Sequence, residues 1–228
     1  MNPIFSRNSQ LGKTTNVALA LPICLGCLLV WLSADAMAEK RGAEEAKPVK
    51  LTGSIVSVYD VVNSARPLSA PKGNMPGSRV LLAERGRVIH LLESRSTTPL
   101  LNGDYDGKRI SVSGKLIAAG NLLSVESVKE LGTADQVKGE REAGQPRVIS
   151  GKVICACALR QHNSGAGCDL GHFHRFQLDR GAILSFMPSR ASQPLYLGGP
   201  HHMKRVKITG SVYSRAKLLD VEKAELVK

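Results

Sequence analysis

The feature that most constrains this 228-residue sequence is an internal repeat. Four blocks of the first half reappear in the second half at a spacing of roughly 95 to 98 residues. The paired blocks are 51–58 with 149–156, 85–95 with 180–190, 108–114 with 204–210, and 122–126 with 218–222. Chance similarity between short segments seldom keeps a constant spacing through four blocks. The sequence therefore predicts two copies of one structural unit.

Each copy has the residue pattern of short β-strands. Val, Ile and Leu alternate with polar residues, and Gly or Asn residues divide the runs, which is typical of half-buried strands. In the second copy the predicted strands lie near 148–158, 172–179, 182–187, 204–213 and 217–226. Between the third and fourth strands, residues 94–107 and 188–203 leave room for one short helix in each copy. The chain is therefore predicted to be mainly all-β.

The strand pattern resembles the OB-fold, a small five-stranded Greek-key barrel. Two motifs support the resemblance: a glycine that opens a hydrophobic first strand, and a hydrophobic-x-hydrophobic-x-Gly run in the fourth. The resemblance covers nearly all of each repeat at the level of architecture. It implies two OB-like barrels in tandem, over 49–132 and 147–228, joined by a polar linker at 133–146. A repeat of this length is large enough for one modest core.

Residues 1–38 have the features of an export signal. A basic start precedes an uncharged apolar run at 17–32, and Ala-Met-Ala at 36–38 fits a cleavage site. We expect cleavage before Glu39 and a periplasmic or secreted protein. The apolar run is shorter than the roughly 20 residues of a typical membrane span. An uncleaved N-terminal membrane anchor is the alternative interpretation.

The chain is basic, with a formal net charge of +12. Residues 39–48 are charged and lack apolar periodicity, so they are predicted to form a flexible tether. Export disfavours nucleic acid as a partner, and aromatic residues suited to base stacking are scarce. An acidic envelope protein or an anionic surface suits this charge better, although the charge also serves solubility alone.

The second copy contains a cysteine and histidine cluster that the first copy lacks. Its members between residues 153 and 178 are Cys155, Cys157, His162, Cys168, His172 and His174. Thiolates and imidazoles bind soft and borderline metal ions such as zinc and copper. Because the first copy has no such cluster, the shared fold does not depend on metal in both halves. The cluster is therefore predicted either to have a function that belongs to the second copy or to cross-link a loop of that copy.

A simple hairpin register brings these side chains together. Alternate residues of a strand share one face, and opposed Cβ atoms lie about 4.5–5.5 Å apart. The predicted opposed pairs are Gly151 with Leu178, Val153 with Phe176, Cys155 with His174, and Cys157 with His172. This register predicts a Cys2His2 site at the open end of the hairpin, within reach of Cys168 and His162. Two further histidines, His201 and His202, are either additional ligands or part of a solvated turn.

Other uses of the cluster remain open at this point. Cys168 can form a disulfide with Cys155 or Cys157, which would leave an interaction module with a stapled loop. The pair Cys157 and His172 also has the composition of a thiolate nucleophile. Haem handling through an exposed histidine is a further alternative, by fold analogy alone. No phosphate loop, dinucleotide turn or nucleophile elbow is present in the sequence. The preferred hypothesis is an exported, non-enzymatic module that binds zinc or copper.

Overall fold

The structure is a computed structural model that describes residues 46–63, 78–134, 140–155, 173–197 and 199–227. Residues 41–228 form one compact unit. The predicted export signal lies outside the described residues. Strands dominate the described chain, so the predicted β-rich class is confirmed. None of the helices within the described ranges is long and apolar enough to cross a membrane.

The first five-stranded sheet closes on itself and is called the first barrel below. Its elements are β1 (Lys47–Ser57), α1 (Val58–Val61), β3 (Arg79–Ala83), β4 (Arg87–Leu91), α2 (Thr98–Asn102), β5 (Lys108–Ile117) and β6 (Leu122–Thr133). The strand order is β1-β3-β4-β6-β5. Only the β4–β6 contact among these is parallel. A two-residue strand, β2 (Val62–Asn63), leaves this sheet and pairs elsewhere.

The second five-stranded sheet has the same connectivity and is called the second barrel. Its elements are β8 (Gln145–Cys155), β9 (His174–Leu178), β10 (Ile183–Phe186), α3 (Gln193–Tyr196), β11 (Arg205–Tyr213) and β12 (Leu218–Leu226). The strand order, β10-β12-β11-β8-β9, closes the sheet, and β10 runs parallel to β12. All five strands predicted in the second copy are present. Each copy also has a short helix, α2 or α3, in the predicted segment.

Matching glycines allow the strands of both barrels to bend. A Cβ atom on Gly114 would collide with the Ser124 carbonyl oxygen, and one on Gly210 with that of Asp220. The strand register shifts at both positions, between Ser113 and Gly114 and between Thr209 and Gly210. A bulge at a glycine increases local twist and lets a small sheet close into a barrel. The repeat therefore preserves the residues that curve the sheet.

Each barrel encloses its own apolar core. The first core is centred on Ile55, Leu81, Ile89, Leu91, Leu100, Ile110, Val112 and Leu123. The second is centred on Val153, Phe176, Leu184, Phe186, Leu195, Val206, Ile208 and Leu219. In both barrels the helix before the fourth strand contributes a buried leucine, Leu100 or Leu195. These helices therefore cover equivalent ends of the two barrels.

The barrels also bury apolar surface against each other. One shared cluster joins Leu92, Ile117 and Leu122 to Ile154 and Ile183. A second shared cluster includes Val58, Val61, Val80 and Val88 of the first barrel with Met187, Tyr213, Ala216 and Leu218 of the second. These contacts explain α1, which the sequence pattern does not predict. Its β-branched residues favour a strand, but Ser57 accepts a hydrogen bond from the Tyr59 backbone at 3.2 Å, and the helix buries Val58 and Val61.

Backbone pairing extends beyond the predicted domain boundaries. β1 begins at Lys47, opposite Leu116, within the predicted tether at 39–48. β8 begins at Gln145, opposite Val212, within the predicted linker at 133–146. In the same linker, β7 (Glu142–Ala143) pairs in parallel with β2. Polar residues extend strands here because backbone groups make the pairing whatever the side chains are.

Candidate metal site

The described part of the β8–β9 hairpin has the predicted register, and the fourth predicted pair, Cys157 with His172, lies outside the described residues. Gly151 lies opposite Leu178, Val153 opposite Phe176, and Cys155 opposite His174. Val153 and Phe176 are fully buried in the second core. Because side chains alternate along a strand, Cys155 and His174 continue the same face toward the open end of the hairpin. The hairpin therefore delivers one thiol and one imidazole to the same end of the second barrel.

The structure describes only part of the predicted ligand set. Cys155, His174, His201 and His202 lie within the described residues. Four other predicted ligands lie outside them: Cys157, His162, Cys168 and His172. Within the described ranges, no group of three or more Cys, His, Asp or Glu side chains is arranged to hold a metal ion.

Two imidazoles meet at the centre of the site. His174 Nε2 lies 2.5 Å from His202 Nδ1. The ring centroids are 4.8 Å apart, and the planes are almost perpendicular, at 87°. His174 is buried, whereas His202 is exposed. The pair therefore extends from the interior of the second barrel to its solvent-exposed surface.

The other nitrogen of His174 is held by the backbone. Nδ1 lies 3.2 Å from the carbonyl oxygen of Tyr196, the last residue of α3. A carbonyl oxygen only accepts, so Nδ1 carries the proton and Nε2 presents its lone pair. Metal-binding histidines are commonly oriented by such a hydrogen bond from the non-ligating nitrogen. α3 thus sets both the tautomer and the direction of His174.

The surroundings favour the neutral form of His174. Burial lowers the pKa of His174, and the neighbouring His202 and Arg175 lower it further, against the opposing effects of the Tyr196 carbonyl and Glu93. A neutral imidazole is the form that binds a metal ion. The pKa shift therefore acts in the direction that favours coordination.

The turn after α3 brings further polar atoms to the site. A single 3-10 turn, Gly199–His201, precedes His202. The Nδ1 atom of His201 is buried and has no hydrogen-bond partner among the described residues. Met203 then adopts a left-handed backbone with φ of 56°, which is uncommon for a residue other than glycine. His201 and His202 are thus held in a compact turn above the hairpin.

The first barrel has an ion pair in the equivalent place. Arg79 lies opposite Ser57 in the strand pairing, as His174 lies opposite Cys155. The Arg79 guanidinium binds Asp106 at 2.7 Å and also donates to the Leu101 carbonyl at 3.1 Å. Leu101 in α2 corresponds to Tyr196 in α3, at the spacing of the repeat. One scaffold therefore supports a salt bridge in the first half and an imidazole pair in the second.

Sequence reasoning missed two parts of this arrangement. It did not identify Tyr196 as part of the site, although Tyr196 is equivalent to Leu101 in the alignment of the two repeats. It also did not identify Arg175, whose guanidinium reaches Glu93 in the first barrel at 2.8 Å. No local motif indicates that contact, because the two residues lie 82 positions apart.

A separate cleft lies away from the histidine site. A cavity of about 210 Å³ between the barrels is lined by residues that include Asp60, Arg85, Glu140, Glu142 and Arg215. It shares no lining residue with the histidine site. Its charged rim is mixed in sign, so it indicates no single class of ligand.

Comparisons with known proteins assign no family. No protein-family model, no curated protein and no solved structure matches this chain. The interpretation of the site therefore depends on its residues and geometry.

Proposed function

We propose that this protein is an exported metal-binding module that holds a zinc or copper ion at the open end of its second barrel. The observation that carries the proposal is the meeting of His174 Nε2 and His202 Nδ1, with His174 oriented by the Tyr196 carbonyl. Both metals accept imidazole ligands. Neither a catalytic reaction nor a nucleic-acid partner forms part of the proposal.

The geometry needs only a small adjustment to accept an ion. Two imidazole nitrogens bound to one tetrahedral zinc ion lie about 3.3 Å apart, because each Zn–N bond is about 2.0–2.1 Å long. Their separation here is 2.5 Å. His202 is on the exposed side, so rotation of its ring opens the gap. His174, held by α3, stays in place.

Further ligands come from the same end of the hairpin. Cys155 lies directly opposite His174 in the strand register. Cys157, His172, Cys168 and His162 complete the proposed set, and His201 adjoins it. A closed four-ligand site favours structural zinc, whereas an open thiolate-containing site suits copper transfer.

The fold proposal is a tandem pair of OB-like barrels that arose by duplication. In both barrels three consecutive strands pair in order and the fifth strand inserts between the third and fourth, a Greek-key arrangement. The matching bulges at Gly114 and Gly210 support a common origin. The distinct Arg79–Asp106 and His174–His202 pairs support divergence of the two copies toward different roles.

The deciding experiment measures metal content and affinity in the full chain under reducing conditions. We expect one zinc or copper ion per chain, with His174→Ala and His202→Ala each reducing affinity by at least about tenfold, the loss of one ligand. Asp106→Ala, which removes the equivalent contact of the first barrel, is the matched control and should leave affinity unchanged. A metal-free protein, or histidine variants that retain the ion at full affinity, would overturn the proposal.

A further inference from the structure

A buried ion pair connects the metal-site strand to the first barrel. Arg175, the residue after His174 on β9, binds Glu93 with an Nη2–Oε1 distance of 2.8 Å. Glu93 follows β4 of the first barrel. The side chains are 5% and 12% exposed, so water and salt screen this pair little. The two charges of this pair therefore belong to different barrels.

The guanidinium also holds the backbone of the histidine strand. Its Nη1 atom donates to the carbonyl oxygens of Phe173 at 3.0 Å and His174 at 3.2 Å. Nη2 additionally reaches the Leu91 carbonyl at 3.5 Å. Side chains alternate along β9, so Arg175 points toward the first barrel while His174 points toward the metal site. Adjacent positions of one strand thus carry both groups.

The residues at the equivalent positions of the repeat do not form a second ion pair of this kind. In the strand pairing, Val80 of the first barrel occupies the position of Arg175. Val80 is fully buried in an apolar cluster. The residue that corresponds to Glu93 at the repeat spacing is Pro188. Neither charge is needed by the shared fold, which suggests that their role concerns the site.

A buried guanidinium beside a cation site opposes metal binding. Arginine stays protonated under all ordinary conditions, and like charges repel strongly where water is excluded. The Glu93 carboxylate cancels this charge and keeps Arg175 directed away from the histidines. We propose that Glu93 of the first barrel is a positioning residue for the metal site of the second barrel. The inference rests on the proposed metal-binding function.

The test compares three variants of the full chain: Glu93→Gln, Arg175→Gln, and the double variant. Cobalt(II), followed by its absorption spectrum, is the probe, and zinc affinity is measured by competition. Glu93→Gln leaves the guanidinium uncompensated and should weaken binding by about tenfold. Arg175→Gln removes the repelling charge, so affinity should stay the same or rise. The double variant should return to within about threefold of the wild type.

The opposite effects of the two single variants distinguish this role from simple bracing of the fold. If the ion pair only stabilises the fold, all three variants should bind the metal ion more weakly, and that result would overturn the inference. Unchanged affinity in Glu93→Gln would also overturn it. Asp106→Asn, which breaks the first barrel's ion pair, is the control and should not alter binding. Thermal unfolding verifies that each variant is folded. If the wild type binds neither zinc nor copper, the metal proposal itself fails; if it binds a metal ion and Glu93→Gln binds that ion equally well, only this inference fails.

Discussion

At the scale of single residues, two buried histidines on β-strands have different roles. His90 is buried between the barrels, and its Nε2 donates to the Ala216 carbonyl at 2.7 Å. His174 is buried as well, but its Nε2 faces His202 instead of a carbonyl oxygen. The difference lies in the partner of each ring, since both residues are buried on β-strands. We therefore assign His90 to the interface and His174 to the proposed metal site.

His90 makes stability depend on pH. Burial, with a smaller contribution from Arg175, lowers the pKa of His90 to about 4, against the opposing hydrogen bond to Ala216. Because the unfolded chain binds this proton more tightly, stability is complete above about pH 6.5 and falls as pH decreases toward 4. The loss should approach about 3 kcal/mol.

Urea unfolding of the metal-free protein between pH 4 and 7 measures this dependence. His90→Gln should flatten the pH slope by up to about one proton, at some cost in stability at pH 7. Burial also lowers the pKa of His174, so His174→Gln provides the comparison. A His90→Gln slope equal to that of the wild type would contradict the assignment.

At the scale of elements, the short helix before the fourth strand supplies the backbone carbonyl that orients a polar side chain at the end of each barrel. In both copies a hydroxyl holds this helix. Thr97 Oγ1 accepts from the Ser94 backbone at 2.7 Å and donates to the Leu92 carbonyl at 2.9 Å. Ser192 Oγ accepts from the Ser189 backbone at 2.9 Å and donates to the Met187 carbonyl at 2.5 Å. Only the second helix goes on to orient a histidine, through Tyr196.

This symmetry allows a matched pair of variants. Thr97→Ala and Ser192→Ala should each destabilise the protein by about 1–3 kcal/mol, because each removes the hydroxyl that pairs with a half-buried backbone N–H and a buried carbonyl. Only Ser192→Ala should also weaken metal binding, since it releases α3 and the Tyr196 carbonyl. Urea unfolding measures the first effect, and zinc competition measures the second. Equal metal affinity in the two variants would show that α3 does not orient the site.

At the scale of the whole molecule, the barrels are coupled by their buried interface. Leu92 and Leu122 of the first barrel pack on Ile154 and Ile183 of the second, and Tyr59 donates to the Pro188 carbonyl at 2.5 Å. A barrel expressed alone would expose these apolar side chains. The repeat and its polar linker predict two separately folding domains. The interface favours one cooperative unit instead.

We expect a single unfolding transition for the described part of the chain. Leu92→Ala, at a fully buried interface position, should destabilise both barrels together by about 2–5 kcal/mol. Calorimetry and hydrogen exchange resolved by barrel are the measurements. Leu131→Ala, at a position that is 47% exposed, should have little effect. Two separate transitions, with only one shifted by Leu92→Ala, would contradict cooperative folding.

Much of the architecture follows from local patterns. Alternating Val, Ile and Leu predict the strands, because one face of each is buried. Once Val153 is taken to face Phe176, antiparallel pairing with period-two alternation predicts that Cys155 faces His174, and the structure has this register. The repeat spacing likewise indicates which turns and helices correspond.

Only the tertiary structure decided the contacts between distant segments. His202 meets His174 because α3 and the following turn fold back over β9, and a three-dimensional path of this kind leaves no periodic signal. The Arg175–Glu93 pair and α1 depend on how one barrel packs against the other. Sequence patterns report which side of a strand is buried, since burial follows side-chain hydrophobicity. They do not report which distant surface covers it, because that depends on the shape and packing of the assembled barrels.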